Sequence, residues 1–593
     1  MARSSAYGTM TVFVLWGMIQ QPIEAQVTTE VVWQRCIGGS DYEFGADLEA
    51  TSDGGFVCVG WTSSVDGDVV GPHGGTEILV AKLDANGTLL WTRSLGGSSE
   101  ELGFNCIEAS DGSIMVAGST YSTDGDVSQN HGSEDLWVVK LSQLGAILWE
   151  HTYGGSGGEL GGTLLETTDG GFVIHCSTTS DDQDVVGFHP GAGTSDSWVL
   201  KISSSGILEW SRALGGSGGD SGGRLVQTMD GGFLASFTYT ESNDGDVTNY
   251  HGNGDCWLVK LSASGTIEWS RTVGGSQREF GDAILELSNG DFMLLGMTAS
   301  SEGDIAINQG GYDVLLAKIS SSGTLLWERT YGGSLDDDCR TLVPASDGGF
   351  VLAGSSRSID GDVSSNAGEQ DAWVLKVDAG GAIVWQRSFG GTLIDWGYLY
   401  ETTDAGFLLS GLTFSNDGDV IGQHGDEDLW FIRLTENGDT TWQRCLGGSA
   451  NDWGYVHAQT ADHGYVALGY TSSNDGDVAG NHGGRDIWVV KLKLTEPTEP
   501  LECALYIPNA FSPNNSGKND TQCLYGTACI STMRMNIFDR WGNKVFESTD
   551  PKVCWDGTYK GQALDPAVFV YHLSATMING EQVERQGNIS LVR

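Results

Sequence analysis

A tryptophan recurs at intervals of 57 to 61 residues along most of the chain, and a similar segment follows it each time. Recurrence over this distance is typical of proteins in which one supersecondary unit is copied and each copy packs on its neighbours. The array should occupy residues 30–492. Its eight units are marked by Trp33, Trp91, Trp149, Trp210, Trp269, Trp327, Trp385 and Trp442.

Each unit holds four β-rich runs joined by turn sequences. In the unit that follows Trp33, Asp53-Gly54-Gly55 separates the first two runs and Asn86-Gly87 separates the last two. Asp-Gly and Asn-Gly between apolar runs are typical of tight β-hairpins. The repeat therefore predicts an all-β fold in which eight four-stranded antiparallel sheets form an eight-bladed β-propeller.

The two ends of the array complement each other. Residues 30–35 match a fourth strand with no third strand before it, and residues 487–492 match a third strand with no fourth behind it. We expect the N-terminal strand to complete the last blade, which closes the ring and leaves no edge strand unpaired. A seven-bladed ring with one stray unit is the alternative.

Short motifs recur in the units. They read Trp-x-Arg at 91–93, Gly-Gly-Ser at 96–98, Asp-Gly-Gly-Phe at 53–56, Gly-x-Thr at 60–62 and Asp-x-Trp-Val-Val-Lys-Leu at 135–141. Through these motifs the array resembles the bacterial propeller repeat family abbreviated SBBP, whose name speaks of seven blades. The resemblance implies a propeller fold and an exported protein, and it implies no reaction.

The chain is strongly acidic, with 78 Asp and Glu against 30 Lys and Arg and a net charge of -48. Such a charge repels phosphate backbones and anionic lipid headgroups, which argues against a nucleic-acid or membrane-surface partner. Hydrophobic residues make up 39% of the chain, which is enough to build a core.

The N-terminus predicts export. Residues 1–25 have a basic start at Arg3, an apolar stretch and a break at Pro22, the pattern of a cleaved signal peptide. A buried N-terminal helix is the alternative. No segment reaches the length of apolar residues that a transmembrane helix needs.

Most of the acids fall at repeated loop positions. In this strand order, the loop from a fourth strand to the next first strand and the loop from a second to a third strand emerge together. We call this end the long-loop face; its first-unit loops are residues 38–42 and 63–76. An acid follows each Gly-Gly-Ser or Gly-Gly-Thr, two more stand in an Asp-Gly-Asp sequence, and another opens each third strand.

Two interpretations of the Asp-Gly-Asp acids are open. Two carboxylates at i and i+2, with the third-strand acid, could form an oxygen cage for Ca²⁺. Alternatively, the Asp and Gly residues build turns, and the acids cap backbone N–H groups. The candidate calcium ligands are Asp66, Asp68, Glu77, Asp124, Asp126, Asp135, Asp244, Asp246, Asp255, Asp360, Asp362, Asp371, Asp417, Asp419, Asp428, Asp475, Asp477 and Asp486.

Basic and aromatic residues also repeat. A histidine follows the Asp-Gly-Asp loop in six units, and one histidine per blade cannot assemble a zinc site, so we expect it to hydrogen-bond a loop Asp or carbonyl. Lysines of third strands and arginines of fourth strands should pair with the recurring acids. Most tryptophans should lie between blades. Trp396 and Trp453, in the acidic loops, are the candidates for a glycan-stacking platform.

No catalytic constellation is present, because eight equivalent acids offer no privileged pair. The leading hypothesis is a non-enzymatic binding, adhesion or display module. The alternative is a secreted glycan-processing enzyme, a lyase or hydrolase, that uses an irregular sector. Irregularity occurs at residues 187–195, at residues 336–339 and at the Trp396/Trp453 pair.

A different composition begins after the Pro-spaced linker at 493–502. Residues 503–593 contain Ile-Pro-Asn-Ala-Phe-Ser-Pro-Asn at 507–514, Asn-Ile-Phe-Asp-Arg-Trp-Gly at 536–542, Trp-Asp-Gly at 555–557 and the ending Gly-Asn-Ile-Ser-Leu-Val-Arg. This segment resembles the gliding-motility-associated C-terminal domain, the type B sorting domain of the type IX secretion system. The resemblance implies an Ig-like β-sandwich, the secretion machinery as partner, and an extracellular or surface-attached protein. Residues 513–520 lack the central Asp of the family's Pro-Asn-Gly-Asp-Gly loop.

Four of the 11 cysteines, Cys503, Cys523, Cys529 and Cys554, lie in this segment. An oxidising route favours disulfides over a zinc site, and three pairings are possible. We expect 523 with 529 and 503 with 554. The seven cysteines of the array should be small core residues.

Overall fold

The computed structural model describes residues 28–191, 195–402, 406–495, 506–514, 519–525, 530–577 and 582–593. The chain divides into two compact units, one spanning Thr29–Leu494 and the other containing Thr495–Arg593. Every regular element within these ranges is a β-strand. In the same ranges, no helix is long and apolar enough to cross a membrane. The predicted signal peptide and most of the predicted linker lie outside the described residues.

Eight antiparallel sheets follow one another in the first unit. Strand β1 is Thr28–Ile37. The first four sheets are β2 to β5 (Glu43–Ala50, Phe56–Thr62, Glu77–Leu83, Leu89–Leu95), β6 to β9 (Glu101–Glu108, Ile114–Thr120, Asp135–Leu141, Ile147–Tyr153), β10 to β13 (Glu159–Glu166, Phe172–Thr178, Asp196–Ile202, Leu208–Leu214) and β14 to β18 (Asp220–Ser221, Leu225–Gln227, Phe233–Thr240, Asp255–Leu261, Ile267–Val273).

The remaining sheets repeat the pattern. They are β19 to β22 (Glu279–Glu286, Phe292–Thr298, Asp313–Ile319, Leu325–Tyr331), β23 to β26 (Asp337–Pro344, Phe350–Ser356, Asp371–Val377, Ile383–Phe389), β27 to β30 (Asp395–Glu401, Phe407–Thr413, Asp428–Leu434, Thr440–Leu446) and β31 to β33 (Asp452–Gln459, Tyr465–Thr471, Asp486–Thr495) with β1. We call these sheets blades one to eight. The eight-bladed propeller predicted from the repeat is confirmed.

The N-terminal strand completes the eighth blade, as the phase of the repeat predicts. Its order is β1-β33-β32-β31. Each blade packs on the next, and the eighth packs on the first. Leu48 and Phe56 of the first blade share a core cluster with Val466 and Leu468 of the eighth. Contacts between every neighbouring pair, the last and first included, describe a ring of blades.

Large apolar side chains fill the space between blades. Trp137 of the second blade is fully buried and packs with Val57 and Val80 of the first. Burying a side chain of this size contributes about 2–3 kcal/mol. The equivalent Trp198, Trp257, Trp373 and Trp488 are also fully buried, and the seven array cysteines are buried and unpaired. These core positions are as predicted.

The second unit contains a five-stranded sheet of order β34-β40-β39-β35-β36 and a two-stranded sheet of β37 and β38. Buried Trp555 lies in its core cluster. The strands are β34 (Ala510–Phe511), β35 (Ile530–Phe538), β36 (Lys544–Ser548), β37 (Thr558–Tyr559), β38 (Gln562–Ala563), β39 (Ala567–Met577) and β40 (Gln582–Leu591).

The disulfide pairing expected from the sequence is wrong. Cys523 is bonded to Cys554, with a Cα–Cα distance of 4.4 Å. The reason is local pairing: Gln522 and Trp555 form an antiparallel bridge, which places the adjoining cysteines side by side. Cys503 and Cys529 lie outside the described residues.

Candidate functional site: the long-loop face

The acid that follows each Gly-Gly pair is buried and holds the loop together. In the first blade, Glu43 Oε2 accepts a hydrogen bond from Gly39 N at 2.9 Å and Oε1 accepts one from Thr62 Oγ1 at 2.5 Å. A Cβ on Gly38 would lie 2.2 Å from Glu43 Oε2, which explains the glycine. All eight of these acids are buried: Glu43, Glu101, Glu159, Asp220, Glu279, Asp337, Asp395 and Asp452.

The recurring histidine bridges two acids on neighbouring blades. His482 Nδ1 lies 2.6 Å from Asp486 of its own blade, and Nε2 lies 3.8 Å from Asp68 of the first blade. Arg35 of the eighth blade also contacts Asp68, at 3.4 Å. The predicted structural roles of the histidines and fourth-strand arginines are thereby confirmed at this junction, and His73, His189, His251 and His424 bridge acids in the same way.

Two blades lack the histidine. In the fifth blade Gln309 takes its place, and Gln309 Nε2 donates to Asp362 at 2.7 Å. In the sixth blade Ala367 can offer only its backbone N–H, which donates to Asp371 at 2.7 Å. The acids that face these positions therefore lack an imidazole partner.

Burial raises the pKa of the third-strand aspartates. Loss of water around the carboxylate, with a smaller contribution from the charge of Asp337 of the next blade, raises the pKa of Asp313 to about 7. Burial likewise raises the pKa of Asp196 and Asp371 to about 6. At each junction the third-strand acid and the first-strand acid of the next blade lie beside the same glycine. At Gly332, for example, an added Cβ would lie 2.4 Å from Asp313 Oδ1 and 2.7 Å from Asp337 Oδ2.

The candidate calcium ligands are placed in three different environments. The exposed first acid caps a backbone N–H, as Asp66 does for Ser40 at 2.7 Å; Asp124, Asp244, Asp360, Asp417 and Asp475 do the same. The second acid contacts the preceding blade. Four of these acids form ion pairs with an arginine: Asp68, Asp126, Asp246 and Asp477. Asp362 accepts a hydrogen bond from Gln309, and the backbone N–H of Asp419 donates to Gly390 O. The third-strand acids Glu77, Asp135, Asp255, Asp371, Asp428 and Asp486 are buried.

This arrangement favours the turn-building interpretation. Asp68 and Glu77 of the same unit bind different partners, because Asp68 contacts Arg35 and Glu77 accepts from Gly74 N at 2.7 Å. Among the described residues, no group of three or more His, Cys, Asp or Glu is placed to hold a metal ion. Calcium binding by these loops stays a prediction.

Side chains that differ from blade to blade lie between these fixed acids. They occupy the positions just before and after the first-strand acid, their partners near the end of the second strand, and the position before the third-strand acid; we call them the variable ring. In the eighth and first blades it contains Phe44, Trp61, Trp453, Tyr470 and Arg485, in the second and third Glu100, Leu102, Ser119, Tyr121, Leu160 and Ser177, and in the fourth to sixth Tyr239, Glu241, Arg278, Phe280, Tyr312, Asp336, Asp338, Ser355, Arg357 and Gln370.

An aromatic cluster forms where the eighth blade meets the first. The ring of Phe44 is stacked on Trp61 at 5.6 Å and on Trp453 at 6.0 Å between centroids. Tyr470 stacks on Trp453 at 5.5 Å, and the Arg485 guanidinium lies 3.8 Å from the Tyr470 ring. Trp453, one of the two platform candidates, belongs to this half-buried cluster.

Trp396, the other candidate, is joined to that cluster through two tyrosines, since the ring centroids of Tyr398 and Tyr455 are 5.1 Å apart and those of Tyr455 and Trp453 are 5.4 Å apart. Its ring meets Tyr398 edge-on at 5.5 Å, and the Arg340 guanidinium lies 5.9 Å from it.

Two adjoining cavities open in the fourth to sixth blades. One of about 500 Å³ is lined by Glu241, Tyr250, Asn253, Gln277, Arg278 and Tyr312. The other, of about 280 Å³, shares Tyr312 and includes Asp338, Arg340, Arg357 and Gln370. The irregular segment 336–339 singled out in the sequence therefore contributes to a cavity, whereas Arg278 and Tyr312 gave no signal because nothing repeats at their positions.

The first strands also contribute an ionisable cluster. Asp282 has a buried Oδ2 with no hydrogen-bond partner among the described residues, and burial raises its pKa to about 6, against the opposing charges of Arg340 and Arg224. In the eighth blade, His457 Nδ1 lies 3.3 Å from Asp47 of the first. Sequence inspection missed both groups, because neither recurs.

Comparisons with known proteins assign the C-terminal segment. Residues 505–591 match the family model described as the CHU_C Type IX secretion signal domain. The sorting domain inferred from the sequence is confirmed. The protein is exported across the outer membrane to the cell surface or the extracellular space, and the domain implies interaction with the secretion machinery.

The propeller has more distant similarities. The regulatory protein FlaEY of Caulobacter vibrioides is 26% identical over 372 residues, which cover 56% of this chain and 38% of that protein. The chain thus spans well under half of that relative. A europium-containing methanol dehydrogenase shares 10% identity and a TM-score of 0.42 over 78% of this chain and 93% of its own. The WD40 domain of Neurospora crassa Pan2 shares 7% identity and a TM-score of 0.33 over 65% and 93%.

Proposed function

We propose that the exported propeller is a non-enzymatic binding module that takes its ligand on the variable ring. One observation supports this above all. The acids that recur in every blade are buried or bonded to the loops, whereas the half-exposed arginine and aromatic side chains that line the cavities occur at positions that differ between blades. A ring of identical junctions supplies the frame, and the variable ring supplies an asymmetric surface.

The frame suits this role physically. Each junction ties two blades through a buried acid and, in most blades, an arginine and a histidine, so the loops are held before a ligand arrives. A preorganised surface loses little conformational entropy on binding, which raises affinity without further contacts. Sites carried by rigid elements also hold their geometry better than sites on free loops.

Binding can be tested with the full exported chain, labelled and applied to bacterial surfaces and to surface polysaccharide. We expect Tyr312→Ala or Trp453→Ala to weaken binding, because the two side chains lie in different sectors of the variable ring. Leu144→Ala is the control, since Leu144 is 85% exposed in the tight hairpin between β8 and β9 and lies outside the variable ring. Equal binding by all three variants and the parent protein would refute the proposed face.

Glycan processing is the second candidate, and Asp282 is the observation that favours it. A carboxyl group with a pKa near 6 is suited to general acid catalysis, and Asp282 has one buried oxygen that no described residue hydrogen-bonds. Incubation with polysaccharides followed by product analysis separates the candidates. Products that disappear in Asp282→Asn would identify an enzyme and overturn the first proposal.

Calcium binding by the Asp-Gly-Asp loops is a separate proposal. The exposed first acids, such as Asp66 and Asp124, are the carboxylates that solvent ions can reach. Titration calorimetry with calcium chloride would measure binding directly. Absence of heat, together with an unchanged melting temperature in chelator, would refute it.

Export should depend on the C-terminal unit. Deleting residues 503–593 removes the matched secretion domain, so we expect the truncated protein to stay inside the cell envelope. Immunoblots of medium, outer membrane and periplasm would locate it. Secretion of the truncated chain at the normal level would contradict the assignment.

A further inference from the structure

The two cavities of the fourth to sixth blades adjoin and share one wall. Tyr312 lines both the cavity of about 500 Å³ and that of about 280 Å³. Volumes of this order are those of pockets for small organic ligands. Because the cavities are neighbours that share Tyr312, a ligand that fills both must be elongated, with one part in each cavity.

The larger cavity has a rigid wall of stacked groups. The Arg278 guanidinium lies 4.9 Å from the Tyr239 ring and 5.6 Å from the Phe280 ring. Arg278 Nε donates to Asn253 O at 3.2 Å, and Nη2 is paired with Glu241. Phe280 contacts Tyr312, with centroids 5.8 Å apart. The guanidinium is therefore held in place from both its face and its edge.

The polar groups that line this cavity share a geometry. Glu241 presents a carboxylate, Asn253 and Gln277 present amides, Arg278 a guanidinium and Tyr250 and Tyr312 phenols. The carboxylate, amides and guanidinium are planar groups with two polar atoms side by side, so each can bridge two neighbouring hydroxyl groups. Aromatic faces complement the C–H face of a sugar ring. Neighbouring hydroxyls beside an apolar C–H face are the signature of a carbohydrate.

The charged groups of the cavities leave no excess of positive charge, because three arginines face four acids, Glu241, Asp336, Asp338 and the buried Asp337. Arg278 is paired with Glu241, and Arg340 lies 3.3 Å from Asp338. Arg357 donates through Nε to Gln370 at 3.2 Å, in the cavity that also holds Asp336. Around them, the net charge of the chain is -48. An anionic ligand would gain no net local attraction and would meet the repulsion of the whole protein.

From these observations we infer that the cavities around Arg278 and Tyr312 bind a neutral oligosaccharide, with one sugar in each cavity. The inference rests on the proposed binding function and names its ligand class. It places the specific contacts in the fourth to sixth blades and not in the aromatic cluster of the eighth and first.

The test uses the full exported chain and calorimetric titration with neutral oligosaccharides, namely cello-, xylo-, manno- and malto-oligosaccharides, beside oligomers of uronic acids. We expect at least one neutral series to bind, with longer members binding more tightly until both cavities are filled. Affinity should change little between low and high salt, because no net charge is neutralised.

Variants locate the site. We expect Arg278→Ala and Tyr312→Ala to weaken binding by about tenfold or more, which corresponds to about 1.4 kcal/mol. Arg329→Ala is the matched control: Arg329 lies on the outer strand of the same fifth blade and donates to Glu328 O, away from the cavities. It should leave affinity unchanged. Gln277→Ala, at an exposed lining residue, provides a second variant that does not disturb the stacked wall.

The outcomes separate the two proposals. Binding of uronic-acid oligomers alone, weakened by salt, overturns the neutral ligand class but keeps the binding function. Binding to cells that Trp453→Ala abolishes and Arg278→Ala leaves intact overturns the cavity and also keeps the function. If neither sugars nor cell surfaces bind, both proposals fail.

Discussion

The acids that recur in every blade and the side chains of the variable ring are neighbours on one face, yet their environments differ. Glu159 is fully buried and accepts hydrogen bonds from Gly155 N, Thr178 and Ser180. Arg278 and Tyr312 are partly exposed and line a cavity. In this propeller, repetition marks what holds neighbouring blades together, and we propose that departure from repetition marks where a ligand is recognised.

The largest expected effect comes from removing a recurring acid. Glu159→Ala leaves three buried donors without an acceptor, so we expect a loss of about 3 kcal/mol in the free energy of unfolding. Urea denaturation followed by tryptophan fluorescence would measure it. Glu159→Gln keeps an acceptor oxygen and should retain most of the stability. If the alanine variant were as stable as the parent, the buried acids would not hold the junctions.

The second prediction concerns pH. The folded-state pKa of Asp313 is raised to about 7, so its protonated form is favoured by folding. Its stabilising contribution is full below the unfolded pKa of about 4 and is lost as the pH rises through 7. Asp313→Asn removes this titration. We expect a higher melting temperature than the parent at pH 8 and no advantage at pH 4.

Asp255→Asn is the contrasting variant. Asp255 faces His251 at 2.8 Å, whereas Asp313 faces Gln309. Loss of the histidine contact should lower the melting temperature at pH 6. Identical pH profiles for the two variants would show that the histidine does not distinguish the junctions.

A smaller gain is expected from restoring the missing histidine. Ala367 is exposed, and its N–H already donates to Asp371 as the histidine N–H groups do to their acids. Ala367→His should let the imidazole bridge Asp371 and Asp419, which stabilises the protein by about 0.5–1 kcal/mol. Thermal melts at pH 6 and pH 8 would test this, with the gain concentrated at pH 6. A lower melting temperature at both values would contradict the bridging role.

The smallest effect is expected in the variable ring. Tyr121 follows a second strand, where the first and eighth blades carry Ser63 and Ser472. Its hydroxyl donates to Glu134 at 2.7 Å, but the side chain is 43% exposed. Tyr121→Ser should change the free energy of unfolding by no more than about 0.5 kcal/mol. A loss as large as that of Glu159→Ala would erase the distinction between the two sets of positions.

Much of the fold could be predicted because the signals are local and copied eight times. Asp53-Gly54-Gly55 and Asn86-Gly87 specify hairpins, and the phase of residues 30–35 specifies how the ring is completed. Contacts of His482 and Arg35 with loop acids could be predicted because repeated acids surround these basic residues in every unit. These inferences needed no knowledge of distant contacts.

The site could not be predicted in the same way. Phe44, Trp453 and Tyr470 meet only because the eighth blade packs on the first, and Arg278 reaches Tyr239 only across a blade junction. Spacing within a unit could not show that Asp68 turns to Arg35 of the preceding blade instead of to Glu77. The disulfide likewise depends on the bridge between Gln522 and Trp555, which sequence distance does not reveal.

Because β1 pairs with β33, the eighth blade joins the first strand of the propeller to its last. A chain that emerges from its N-terminus exposes Thr28–Ile37 first, and its partner strand Asp486–Thr495 follows only after seven blades have been made. Bringing such distant segments together is slow compared with forming a local hairpin. The eighth blade can therefore form only after the whole propeller has emerged. A chain that is cut before Asp486 leaves β1 without its partner strand, so only an intact propeller can complete the ring.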